Sequence, residues 1–131
     1  MPRFRFKKLV RDRIPELLDH KHIKPSFHKI GGEELAEALL TKLQEELAEL
    51  KAALTVEEET EELADLLEVM RAYAGQQGIS WGQIEARRVT KTTLRGAFRD
   101  GVFIDYVTVE EDNPEIRKYR DRPEEFHEFS E

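Results

Sequence analysis

The side chains best suited to catalysis are two clusters of carboxylates: Glu45, Glu46 and Glu49 in KLQEELAEL, and Glu61, Glu62 and Asp65 in EELADLLEV. An isolated Glu-x-x-Glu is ordinarily a solvated helix face whose acids assist nearby lysines such as Lys42 and Lys51. Two pairs at mirror-related positions suggest more. On a helix advancing about 100° per residue, Glu46 and Glu49 lie roughly 60° and 120° to one side of the stripe Leu43, Leu47, Leu50, while Glu45 points nearly away. Glu62 and Asp65 lie roughly 70° and 130° off the stripe Leu63, Leu66, Leu67, Met70, in the same rotational sense. If the helices fold antiparallel about a turn near Thr55 and Val56, Glu46 faces Asp65, Glu49 faces Glu62, and all four carboxylates converge on one open side. Two unit charges about 5 Å apart repel by on the order of 3 kcal/mol at an effective dielectric near 20, so an enclosed cluster needs a cation. Oxygen-only donors favour a hard ion, Mg²⁺ or Mn²⁺, with waters and phosphate oxygens completing the octahedron. Zinc is not indicated.

Helices must position these groups. Ala36, Leu39, Leu43, Leu47, Leu50 and Leu54 recur at spacings of three and four, the period of an amphipathic helix from Glu33 to Leu54. Thr55-Val-Glu-Glu58 fits a capping box that opens a second long helix, ending near Gly75; Ser80-Trp-Gly-Gln83 repeats that logic for a third, which stops near Gly96. A shorter helix is expected between Leu9 and about His22, with Pro15 tolerated only in its first turn. Beyond it, Asp100-Gly101 and the run Val102 to Val109 predict a strand or hairpin, and the acidic tail from about residue 110 a short docked helix or partial disorder. The fold class expected is therefore all-α: a helical bundle on an antiparallel hairpin, with a short C-terminal β element, in one domain over residues 1–131.

The net charge of −7 argues against bulk binding of nucleic acid, yet it is unevenly spread. Residues 1–32 carry +6, residues 33–70 carry −11, residues 71–99 carry +5 and the remainder −7. Folding that brings the acidic block between the two basic ones suits a metal-bound polyphosphate, although charge blocks are often only solvated faces. The absence of cysteine removes thiolate chemistry and disulfides from consideration. No apolar run reaches membrane-spanning length and the basic start lacks a signal-peptide core, so a cytoplasmic protein without a membrane partner is expected. A domain this small with Leu- and Ala-rich helices predicts a homodimer or homotetramer.

The pattern Glu-Glu-x-x-Glu at 45–49 followed by Glu-x-x-Asp at 62–65 resembles the MazG-like all-α NTP pyrophosphatase superfamily. Lys91-Thr-Thr-Leu-Arg95-Gly96-Ala-Phe98 is similar to its downstream Lys/Arg element. The opening KLVRDRIPELL resembles the small single-domain branch described as phosphoribosyl-ATP pyrophosphohydrolase-like. The resemblance implies Mg²⁺-dependent cleavage of a nucleoside triphosphate between its α and β phosphates, giving a monophosphate and pyrophosphate. It implies Glu46, Glu49, Glu62 and Asp65 as metal ligands, with Glu45 helping to orient water. Lys91 and Arg95 share a helix face that suits a triphosphate, with Arg88 in reach. Lys8, Arg11 and Arg13 line the site if the opening motif is functional; an N-terminal basic segment is otherwise simply exposed. Thr92 stands where the family often has Asn, which puts nucleotide contacts from that position in doubt. His20 and His22 more often belong to the surface than to a metal site, and Trp81 and Tyr73 to packing than to base stacking. Three functions follow as expectations: sanitising hydrolysis of modified or excess nucleotides, hydrolysis of phosphoribosyl-ATP, or a non-catalytic helical oligomerisation or regulatory module.

Overall fold

The computed structural model describes residues 1–130. Among these residues five helices follow one another: α1 (Ile14–His20), α2 (Gly32–Ala52), α3 (Val56–Gln76), α4 (Trp81–Arg95) and α5 (Ile116–Arg120). They fall into two compact units, residues 1–94 and Arg95 onward.

In the first unit α1 starts late, at Ile14, because Pro15 fixes its own φ and requires a position in the first turn. α2 and α3 are 21 residues each. The capping box opening α3 forms: Glu58 N–H donates to Thr55 Oγ1 at 3.1 Å, and the Glu58 carboxylate accepts from Leu54 N–H at 2.8 Å. The second box forms likewise, Gln83 N–H donating to Ser80 Oγ at 3.1 Å and Ser80 N–H to Gln83 Oε1 at 2.9 Å. Gly96, at φ +84°, follows the last residue of α4.

α2 and α3 pack on each other as an antiparallel hairpin, and among the described residues no other two helices pack comparably. Gln76, at the end of α3, donates to the carbonyl of Gly32, at the start of α2, at 3.3 Å. That pairing centres the hairpin on Leu54, not between Thr55 and Val56 as expected, because the connection is Ala53–Thr55. The inward stripe also differs from expectation. It runs through Leu39, Leu43, Glu46 and Leu50 on α2 and Glu62, Leu66, Val69 and Tyr73 on α3, while Leu47, Leu63, Leu67 and Met70 lie exposed. Among the described residues only Leu39, Glu46 and Ala74 are buried.

The second unit holds α5, with Arg120 bridging Glu111 and Glu128 at 2.9 and 2.7 Å, and Tyr119 meeting Phe126 edge-on. The expected strand or hairpin is absent among the described residues. Residues 97–109 make no backbone–backbone hydrogen bond among the described residues, and Val102, Phe103 and Ile104 stay exposed. Alternating apolar residues and a Gly101 at φ +62° supply a strand's composition and a turn, but a strand also needs a partner edge. Among the described residues no helix is long and apolar enough to cross a membrane.

Candidate active site and metal centre

The carboxylates of Glu46, Glu49 and Glu62 each offer an oxygen within 4.8 Å of the others. Glu46 and Glu62 face each other because their positions, like Gly32 and Gln76, are symmetric about Leu54. Glu49 joins one turn along α2 and is exposed, whereas Glu46 is only 5% exposed. Leu43 and Leu50 carry Glu46 into the seam between the helices, and Leu66 and Val69 keep the half-buried Glu62 on the same seam, so the burial is a consequence of the hairpin's packing.

This arrangement is electrostatically incomplete. Oε2 of Glu46 and Oε2 of Glu62 are both buried and accept no hydrogen bond. Buried carboxylate oxygens without a donor are costly and rare, and three oxygen donors at this spacing suit a hard divalent cation. The carboxyl of Glu62 is pushed up to about 7, first because a proton on it can be shared with the adjacent Glu46 carboxylate, then by lost hydration, then by Glu49.

Two cations border the cluster. The Lys42 ammonium lies 3.3 Å from Glu45 and 3.4 Å from Glu46. Burial disfavours its charge, but the two carboxylates outweigh that and hold its proton more tightly. Glu45 is thus tied to Lys42, half-buried beside the cluster. Arg11, from the segment before α1, donates through Nη2 to Oδ1 of Asp65 at 2.6 Å. Its pKa is raised by that hydrogen bond, with the charges of Asp65, Glu68 and Glu46 adding to it. Asp65 therefore stands one turn beyond Glu62, paired with a guanidinium, and outside the group of three.

The α4 cations are elsewhere. Arg88 pairs with Glu85 of its own helix at 2.6 Å, Lys91 lies beside a shallow depression with Ile84 and Arg87, and Arg95 is exposed at the helix end. No ion pair joins α4 to α2 or α3 among the described residues. Lys8 and Arg13 are exposed, Arg13 pairing with Glu16 at 3.3 Å. Trp81 takes Arg71 over its ring at 5.0 Å, and Tyr73 lies in the inward stripe. In the sequence Lys42 stands out only as a generic helix partner. Its spacing of four from Glu46, on the same face, was the available signal.

The sequence model of the family described as phosphoribosyl-ATP pyrophosphohydrolase matches residues 8–90, which takes in Arg11, Lys42 and all the clustered carboxylates. Neither curated proteins nor solved structures provide a match.

Proposed function

Because the chain belongs to the phosphoribosyl-ATP pyrophosphohydrolase family, we propose that it hydrolyses the anhydride between the α and β phosphates of a nucleoside triphosphate, releasing a monophosphate and pyrophosphate and so removing modified or excess nucleotides. The observation that carries this reading is the pair of buried, donorless oxygens on Glu46 and Glu62, which fits a Mg²⁺ site better than a solvated acidic face. Mn²⁺ satisfies the same donors.

In this reading Glu46, Glu49 and Glu62 would hold the ion, and Asp65, which meets Arg11 through Oδ1, would add its other oxygen. When bound, Mg²⁺ supplies charge neutralisation, polarisation of the phosphate and a lowered pKa for the attacking water. Glu45, kept in place by Lys42, is placed to orient that water through a hydrogen bond. Lys42 limits the repulsion within the cluster. Arg88, Lys91 and Arg95 on α4, with Lys8 and Arg11 from the N-terminal segment, are the cations available for the triphosphate and for the charge developing on the leaving pyrophosphate.

An assembly follows from the same picture. Leu40, Leu47 and Leu54 recur every seven residues on and just after α2, and Val56, Leu63 and Met70 do so on α3; all six are exposed. Heptad-spaced apolar residues left open on a helical hairpin suit a second hairpin, giving a homodimer or a homotetramer of dimers.

A second reading, hydrolysis of the same anhydride in phosphoribosyl-ATP, is favoured by the description of the matching family. Both substrates carry a triphosphate and differ outside it, phosphoribosyl-ATP bearing an added phosphoribosyl group. Turnover of phosphoribosyl-ATP and of a panel of ordinary and modified nucleoside triphosphates, measured side by side with Mg²⁺, separates them. A kcat/KM at least a hundredfold higher for one class decides in its favour; no turnover of either leaves only a non-catalytic helical module.

A further inference from the structure

The Arg11–Asp65 pair is poorly explained as a stabilising contact. Both side chains are open to water, 58% and 33% exposed, and a lone exposed ion pair contributes about 0–1 kcal/mol. Its geometry is more informative. Arg11 sits in a tight turn, closed by Ile14 N–H donating to the Arg11 carbonyl at 3.0 Å and stiffened by Pro15 immediately beyond. Leu9 and Val10, half-buried, hold the preceding backbone down. Asp65 lies three residues after Glu62 on α3, which is about 4.5 Å along the helix. The guanidinium is therefore fixed beside the carboxylate cluster by a short bond to one N–H, and the rest of its planar fork meets no acceptor among the described residues.

A fork with unused donors, anchored at one corner and facing water, is suited to a phosphate oxygen, for which arginine offers charge and paired N–H groups together. Other exposed cations of the first unit lack this combination: Arg13 and Arg88 are spent on neighbours in their own segments, and Lys8 makes no ion pair among the described residues.

We propose that Arg11 binds a non-bridging phosphate oxygen of the substrate at this cluster, and that Asp65 is its positioning residue, aiming the guanidinium through Oδ1. This deepens the pyrophosphohydrolase reading and rests on it. It also fixes a sign. A cation beside the cluster repels a free divalent ion and attracts a metal–phosphate complex, so losing Arg11 shifts the two affinities in opposite senses. A pair serving only to hold Asp65 for the metal would weaken both.

The test is titration calorimetry on the full chain, first with Mn²⁺ alone and then with inorganic pyrophosphate at saturating Mg²⁺. Arg11→Gln is expected to bind Mn²⁺ as tightly as the wild type or up to about tenfold tighter, and pyrophosphate at least about tenfold more weakly, as for a lost charged hydrogen bond. Arg11→Lys, which keeps the charge without the fork, falls between. In an Asp65→Asn background the effect of Arg11→Gln on pyrophosphate shrinks, because the guanidinium is no longer aimed. Unchanged pyrophosphate affinity in Arg11→Gln, or Mn²⁺ affinity reduced alongside it, overturns the proposal while leaving the hydrolase reading in place. A wild-type chain that binds neither Mn²⁺ nor pyrophosphate overturns both.

Discussion

At the scale of single residues, the decisive feature is that Glu62 lies against Glu46 in a seam, with one oxygen of each carboxylate shut off from water. A carboxyl whose pKa is higher folded than unfolded binds more protons in the folded state. Stability without metal is therefore fully present below the ordinary value of 4.5 and falls as the pH rises through about 7. Thermal melts in chelator should show a lower Tm at pH 8 than at pH 5, and Mg²⁺ should restore the loss at pH 8. Glu62→Gln should flatten the pH dependence in chelator and abolish the Mg²⁺ response. An unchanged Mg²⁺ response in that variant would place the metal elsewhere. The types and spacing of these acids were legible in the sequence. Their pairing was not, because it depends on hairpin register: Glu46 was expected opposite Asp65 and stands opposite Glu62, with Arg11 beside Asp65.

The elements were the most legible part, because helix starts are written in local side-chain chemistry. Thr55 with Glu58 and Ser80 with Gln83 are short-range hydrogen-bond patterns, and both form. Thr55→Ala should cost about 1 kcal/mol of stability, read by chemical denaturation, since α3 then opens with an unsatisfied N–H. No loss would mean that the start of α3 is held by packing alone. Two things exceeded local chemistry. The hairpin centre moved to Leu54 because α2 ends at Ala52 and Ala53 is already extended, with ψ 138°. The inward face was misassigned because each helix carries two apolar stripes, and hydrophobic periodicity cannot tell which one meets its own partner. The C-terminal strand failed for a related reason: strand-forming residues do not specify an edge to pair with.

At the scale of the whole molecule, the unassigned stripe is the surface proposed for assembly. Leu47→Glu combined with Leu63→Glu should convert the proposed dimer to monomer in sedimentation velocity, with helix content retained by circular dichroism. A wild-type chain that sediments as a monomer at tens of micromolar would contradict that surface. Among the described residues the basic residues of α4 make no ion pair with their own hairpin. The central claim is that the Glu46–Glu49–Glu62 cluster drives metal-dependent cleavage at the α–β anhydride. Its most direct measurement is release of pyrophosphate, assayed separately from orthophosphate, from nucleoside triphosphates and phosphoribosyl-ATP with Mg²⁺, comparing the wild type with Glu62→Gln and Glu49→Gln. Pyrophosphate release by the wild type, lost on chelation and reduced at least about a hundredfold in Glu62→Gln, is the result expected for loss of a group that holds the metal. Release of orthophosphate alone, or pyrophosphate release undiminished in both variants, would contradict it.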